Sequence, residues 1–238
     1  RAGDDAGAGG GDRVRAGGEA GGERAAAGVA GAGGVHDLDR RRVARCGGHT
    51  GEAQVAVLGH EAAGGVEGLH GEHAVVYGKP AIALAINRRF TVKVRRSDVF
   101  RINGDPANLA SNPHIRNICE RYGTSAISVY MNSAIPAGSG LGSSAALSAA
   151  FSTAMRGVFD KEHDPEQIAK EAFEAEFSAQ GRGSPMDTSA SVHGYGISLN
   201  IPENRRKLWN IEKNGRSWEI CDIDVPKMSF VIGNTGIR

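Results

Sequence analysis

Short apolar segments, separated by glycine, proline and polar residues, make up the chain from residue 71 onward. Residues 90–95 alternate apolar and polar side chains with the period of two that is typical of a half-buried strand. Five other apolar runs have the length of strands and are bounded by turn-forming or polar residues: 74–77, 81–86, 127–131, 197–201 and 230–232. The polar stretch between the last two predicts a hairpin.

Three segments are predicted to be helices. Residues 111–122 place isoleucines on one face. A second helix begins after Gly142, and its many alanines allow close packing against a neighbouring element. The third begins at Asp164 and Pro165, because Asp is a favoured N-cap and Pro is favoured at the first helical position, and it ends at Gly181. Strands and helices without strict alternation predict an α+β fold.

Residues 1–70 differ from the rest in composition. They hold 20 of the 35 glycines and contain no Phe, Trp, Tyr, Ile or Met. Such a segment buries too little apolar area to offset a backbone entropy of about 1–2 kcal/mol per residue. We therefore expect a low-complexity segment that is either disordered or not the native sequence. The second alternative arises because its residues are those of GC-rich codons, as translation in another frame would give.

Charge and cysteine content exclude several classes of protein. The formal net charge of +1 gives no sign of nucleic-acid or polybasic membrane binding. No apolar run approaches the roughly 20 residues of a membrane span, and no secretory signal is visible. The three cysteines are too few and too widely spaced for a disulfide framework or a Cys-rich zinc site. These features favour a cytoplasmic protein.

A glycine-rich loop before the second helix is the strongest candidate for chemistry. Glycines at alternate positions let a ligand approach the main chain, and the helix start offers unpaired N–H groups to an anion. The loop lacks the lysine of a P-loop and the glycine spacing of a dinucleotide fingerprint. We predict that it binds phosphate through Pro136, Ala137, Gly138, Ser139, Gly140, Leu141, Gly142, Ser143, Ser144, Ala145 and Ala146.

Two carboxylates follow the loop. On a helical projection Glu176 falls on the same face as Ile168, Ala172 and Phe173, whereas Glu166, Glu171 and Glu174 fall off that face. A buried carboxylate needs a partner, such as a metal ion, an arginine or a substrate group. Eleven residues later Asp187 follows Pro185, where it is either a helix cap or a functional carboxylate.

Together these segments resemble the GHMP kinases. Residues 136–146 are similar to the central ATP motif of that family, residues 71–80 resemble the start of its mevalonate kinases, and residues 184–194 resemble its Asp-bearing loop. The archaeal mevalonate kinases are the most similar group. The resemblance covers residues 71–238 and implies an α+β N-terminal domain like that of a ribosomal protein. It divides the chain into the low-complexity segment 1–70, an ATP-binding domain at 71–225 and the start of a C-terminal domain at 226–238. Most of that C-terminal domain would be missing.

The resemblance also implies roles for particular residues. Asp187 would accept or orient the proton of the mevalonate 5-hydroxyl as that oxygen attacks the γ-phosphate of ATP. Ser144 and Glu176 would hold Mg²⁺. Glu72, His73 and Thr188 would bind mevalonate. The expected partners are ATP and mevalonate, with neither nucleic acid nor a membrane, and a homodimer is compatible with the family.

The sequence departs from the family at one informative place. The strand before Gly71-Glu72-His73 carries a lysine in the family, near the transferred phosphoryl group, but here that place is residues 64–70 and contains no lysine. Losing one charged donor removes transition-state stabilisation of a few kcal/mol, roughly. With the C-terminal domain also missing, weak nucleotide binding and poor turnover are expected. Three hypotheses remain: a mevalonate kinase, a family member acting on phosphomevalonate or a sugar, and an inactive nucleotide-binding module.

Overall fold

The computed structural model describes residues 62–201, 205–226, 229 and 231–232. Eight strands form one mixed sheet: β1 (Ala62–His70), β2 (Ala81–Arg96), β3 (Arg101–Ile102), β4 (Asp105–Pro106), β5 (Ile127–Ser133), β6 (Gly196–Leu199), β7 (Lys207–Lys213) and β8 (Arg216–Ile223). The four α-helices of this part are α1 (Pro113–Arg121), α2 (Ser143–Val158), α3 (Pro165–Gln180) and α4 (Met186–His193). The α+β fold class is confirmed.

The long strand β2 organises the sheet. Its first half pairs with β6 and its second half with β5, while β1 pairs antiparallel with both halves. The order along the sheet is β4-β3-β5-β2-β6-β8-β7, and only β3 and β5 run parallel. The two predicted strands 81–86 and 90–95 are therefore one continuous strand, and the predicted hairpin is β7–β8.

Two apolar clusters form the core. One lies between α1, α2, β2 and β5 and includes Phe151 and Met155. The other lies between α3, α4 and β6–β8, where Phe173 packs edge-on against Trp218 with ring centroids 5.8 Å apart. Helices α2 and α4 contact β1 and β2, and α3 packs against the other three helices. This packing brings the starts of α2 and α4 and the end of α3 to one region.

Local capping explains the helix bounds. Asp164 Oδ1 accepts hydrogen bonds from the N–H groups of Glu166 and Gln167 at 3.0 and 3.3 Å, which fixes the start of α3. The helix ends where Gly181 adopts a left-handed φ of 72° and its N–H bonds Phe177 O. Both ends match the sequence prediction, as does the start of α2 at Ser143. None of the helices in the described ranges is long and apolar enough to cross a membrane.

Three sequence predictions are corrected. Residues 62–70 form strand β1, so the expectation that 1–70 has no regular structure is wrong there, while residues 1–61 lie outside the described part. Residues 75–77 form a 3-10 turn rather than a strand, because Gly78 adopts a left-handed φ of 76° and its N–H donates to Val75 O at 2.9 Å. Trp218 Nε1 donates to the same oxygen at 2.7 Å. Of the predicted strand 230–232, the described residues 231–232 are in no strand.

Candidate active site

Three left-handed glycines shape the loop between β5 and α2. Gly138, Gly140 and Gly142 have φ values of 68°, 76° and 61°, a region that side chains disfavour. A methyl group at Gly140 would meet nothing within 4 Å, so this glycine faces open space. A methyl group at Gly142 would lie 3.2 Å from Val66 Cβ and 3.5 Å from Asp187 Oδ2. The loop therefore approaches both β1 and the Asp187 carboxylate.

The start of α2 is open to an anion. Its N-cap is Gly142, which has no side chain to occupy the first N–H groups. Ser143 and Ser144 follow and are partly exposed. The partial positive charge of the helix terminus and these N–H groups are what a phosphate group requires.

Glu176 connects α3 to this helix start. Ser144 Oγ donates to its Oε2 at 3.0 Å, and Gln180 Nε2 donates to the same oxygen at 2.8 Å. Ser148 Oγ donates to Oε1 at 3.2 Å. His114 Nε2 lies 3.0 Å from Oε1, at ion-pair distance, although the ring N–H is not directed as a hydrogen bond requires. The Glu176 side chain is only 14% exposed, in agreement with the position predicted from helical periodicity.

Asp187 lies in the first turn of α4. The N-cap of this helix is Pro185, and no side chain caps it, so the alternative that Asp187 is a cap is not what the structure shows. Burial, and secondarily the negative charge of Glu176, raises the pKa of Asp187 to about 6. The carboxyl group therefore changes its protonation state near neutral pH rather than near pH 4.

A cleft of ≈ 410 Å³ brings these groups together. Its lining includes Gly140 and Ser144 from the loop and helix start, Glu176 from α3, and Asp187 and Thr188 from α4. Thr188 is 1% exposed and its hydroxyl donates to Pro185 O at 3.2 Å, so that hydroxyl is used within the protein.

Glu72 and His73, two of the residues predicted to bind mevalonate, lie in the segment after β1. Glu72 is exposed and lines it, whereas His73 is exposed but is absent from the lining. The structure therefore brings Glu72 to the predicted site and does not bring His73 there. Gly71 permits this turn, because a methyl group there would lie 2.3 Å from Pro80 O.

Sequence reasoning missed several residues around the site. Arg182 and Gln180 line the cleft, and His114 and Ser148 contact Glu176. Ser148 lies one helical turn after Ser144, so the spacing of hydroxyls on α2 could have identified it. His114 is distant in sequence, and no local pattern connects it to Glu176.

The prediction that Glu171 lies off the buried face of α3 is wrong. Glu171 is 6% exposed, pairs with Arg156 NH1 at 2.7 Å, and accepts hydrogen bonds from Ser152 and Tyr122. The buried face is wider than the projection indicated, because α3 packs against α1, α2 and α4. This fully paired cluster lies outside the cleft lining and links α1, α2 and α3.

The donors near the start of α2 suit a magnesium ion. Mg²⁺ prefers oxygen ligands and is commonly held by one or two protein groups together with waters and substrate phosphates. The Ser144 hydroxyl and the Glu176 carboxylate already lie 3.0 Å apart. In the described ranges, no group of three or more His, Cys, Asp and Glu side chains is arranged to hold a metal by itself. A magnesium ion here would share its coordination with a phosphate.

Strand β1 occupies the place where the resemblance predicted a lysine-bearing strand. It contains no lysine, and Val66, 1% exposed, lines the cleft from this strand. The Val66 N–H donates to Leu141 O at 3.1 Å, which attaches β1 to the glycine-rich loop.

Known proteins resemble this chain in sequence and in structure. Residues 108–195 match the GHMP kinases N terminal domain. The mevalonate kinase of Methanothermobacter thermautotrophicus is 39% identical over 166 residues, which cover 66% of this chain and 54% of that protein. That of Archaeoglobus fulgidus is 38% identical over 146 residues, covering 58% and 51%. The crystal structure of Methanococcus jannaschii mevalonate kinase superimposes with a TM-score of 0.50 at 27% identity, covering 58% of this chain and 52% of that one. The chain spans about half the length of the curated relatives it matches.

Proposed function

We propose that this chain, whose residues 108–195 match the GHMP kinases N terminal domain, serves an ATP-dependent kinase that phosphorylates the 5-hydroxyl of mevalonate. The observation that carries the proposal is the cleft, in which the glycine-rich loop, Glu176 and Asp187 meet. The choice of mevalonate rests on the relatives, which are mevalonate kinases.

The nucleotide phosphates would bind at the start of α2. The left-handed glycines expose the main chain there, and the uncapped N–H groups of the helix face the incoming anion. Phosphoryl transfer depends mainly on positioning and on neutralising charge, which this arrangement favours.

The Ser144 hydroxyl and the Glu176 carboxylate would hold Mg²⁺. When bound, the ion would neutralise phosphate charge and orient the phosphates. Glu176 is held in place by Ser148, Gln180 and His114, so its carboxylate is already oriented toward Ser144.

Asp187 would take the proton of the acceptor. The acceptor oxygen bonds to the γ-phosphorus, the bond from that phosphorus to the bridging oxygen of ADP breaks, and the hydroxyl proton passes to the Asp187 carboxylate. A base works best when its pKa lies near the working pH, and burial raises the pKa of Asp187 to about 6. Glu72 and Thr188 would border the acceptor.

A second candidate function is nucleotide binding without turnover. The observation that favours it is that β1 presents Val66 to the cleft and carries no lysine. The two candidates share the phosphate-binding loop and differ only in the transfer step.

A coupled assay of ADP release with ATP, Mg²⁺ and mevalonate distinguishes the candidates. We expect mevalonate-dependent ADP release that Asp187→Asn abolishes, while calorimetry shows that this variant still binds ATP. Glu176→Gln should instead weaken the Mg²⁺ dependence of ATP binding. ATP binding without ADP release would favour the second candidate, and no ATP binding by the unaltered chain would contradict both. Release with phosphomevalonate or a sugar instead would change the acceptor.

The same proposal includes a homodimer and a cytoplasmic location. Sedimentation of the purified chain and microscopy of a tagged chain would check these two predictions.

A further inference from the structure

Charge in the cleft is unevenly distributed. Three carboxylates line it, those of Glu72, Glu176 and Asp187, and the N-terminus of α2 adds only a partial positive charge. Of the described residues in the lining, Arg182 alone carries a formal positive charge. Since ATP and mevalonate are both anions, a cleft with this many carboxylates needs cationic groups to attract them.

Arg182 is placed to meet a ligand. It lies between the end of α3 and the start of α4, the two helices that carry Glu176 and Asp187. It is exposed, and within the described residues its guanidinium has no hydrogen bond or ion pair. Flanking Gly181 and Gly183 have φ values of 72° and 156°, so the backbone on both sides adopts conformations available chiefly to glycine.

Three other cations that contact α3 are engaged in ion pairs. Lys170 pairs with Glu166, and Lys213 pairs with Glu174, both on α3. Arg156 pairs with the buried Glu171. Among the described residues that line the cleft, Arg182 is therefore the cation that remains available to a bound anion.

We propose that Arg182 binds a substrate oxyanion in the cleft, supplying from the loop between α3 and α4 the positive charge of the lysine that β1 lacks. The guanidinium has five donors in a planar fork that fits a phosphate or carboxylate through two parallel hydrogen bonds. This inference rests on the proposed function for the identity of the anion, which is either the terminal phosphate of ATP or the carboxylate of mevalonate.

The test is a binding titration of the full chain with tripolyphosphate, ATP and mevalonate, each used separately. We expect Arg182→Gln to weaken at least one of these by about tenfold, and Arg182→Lys to recover part of the loss because it keeps the charge but not the fork. A loss with tripolyphosphate and ATP identifies the phosphate as the partner, and a loss with mevalonate alone identifies the carboxylate. Circular dichroism of each variant verifies that it is folded.

Arg121→Gln is the matched control, because Arg121 is also exposed, stands at the end of α1 and is absent from the cleft lining. Unchanged affinities for all three anions in Arg182→Gln, or an equal loss in Arg121→Gln, would overturn the proposal. Tripolyphosphate binding requires no turnover. An Arg182-dependent loss of tripolyphosphate affinity in a chain that releases no ADP with mevalonate would therefore contradict the proposed function and support the role of Arg182.

Discussion

Replacing Asp187 by Asn should stabilise the protein at neutral pH. The pKa of this carboxyl rises from 3.8 to about 6 in the folded protein, first because it is buried and second because Glu176 is nearby. A raised pKa means that the ionised form is less stable in the folded state than in the unfolded state. At about 1.36 kcal/mol per pH unit, a shift of about two units lowers the free energy of unfolding by up to about 3 kcal/mol.

The sign of the effect fixes its pH window. Between pH 3.8 and about 6 the folded protein binds this proton while the unfolded chain has released it, so stability falls as the pH rises through that range. The penalty is absent below pH 3.8 and complete above about pH 6. Asparagine cannot ionise, so Asp187→Asn should remove the penalty only where it exists.

Urea unfolding of both proteins at pH 4 and pH 7.5 measures the difference. The variant should be more stable by about 1–3 kcal/mol at pH 7.5 and close to the unaltered protein at pH 4. Asp98→Asn, at an exposed position outside the cleft lining, is the matched control and should change stability little at either pH. Equal or lower stability of Asp187→Asn at pH 7.5 would show that Asp187 is not ionised at a cost in the folded protein. If Asp187→Asn gains stability and also loses ADP release, then the Asp187 carboxylate is retained for function at the expense of stability.

Two further predictions concern the loop and the buried ion pair. Gly142→Ala should lose more stability than Gly123→Ala, since both glycines have a φ of 61° but only at Gly142 would the new methyl approach Val66, at 3.2 Å. Backbone strain of about 1–2 kcal/mol is common to both variants. The difference between their free energies of unfolding in urea therefore measures the added crowding. Calorimetry should show weaker ATP binding for Gly142→Ala alone. Glu171→Gln should lower the free energy of unfolding by about 3 kcal/mol, because it leaves the guanidinium of Arg156 largely buried without its counter-charge. ATP affinity of the folded Glu171→Gln variant should not change, and a marked loss of affinity would show that this cluster also shapes the cleft.

Elements governed by neighbours in sequence could be predicted from the sequence. The two ends of α3 follow from the Asp164 side chain and the left-handed Gly181, which act within one helical turn. The glycine-rich loop before α2 is equally local. The fold class, the place of Ser144 at the start of α2 and the place of Glu176 on the buried face of α3 could be predicted for the same reason.

Features that depend on distant residues could not be predicted in this way. The turn at 75–77 has the composition of a strand, yet Trp218, 143 residues away, donates a hydrogen bond to Val75 O. Glu171 fell off the apolar face on a projection of α3 because the projection contains no information about Arg156 on α2 and Tyr122, which follows α1. His114 reaches Glu176 through the packing of α1 on α3, which no sequence spacing reveals.

Strand β1 shows most clearly why composition alone misleads. Its glycines look like part of a low-complexity segment, but the backbone must pass close to its neighbours there. A methyl group at Gly65 would lie 3.1 Å from Leu141 O, and one at Gly64 would lie 3.0 Å from Ile86 O. Glycine permits this approach, and it lets the Val66 N–H reach Leu141 O.

Strand β1 also connects the loop to the helix that carries Asp187. Ser191 Oγ of α4 donates to Gly64 O at 2.9 Å, and the Val66 N–H of the same strand donates to Leu141 O of the loop at 3.1 Å. The glycine-rich loop and α4 are thus both hydrogen-bonded to one short segment of β1. The distance between the N–H groups at the start of α2 and the Asp187 carboxylate therefore depends on a strand whose described side chains contribute no charged group to the cleft. Substitutions in this strand should alter that distance without altering the residues that are proposed to perform the chemistry.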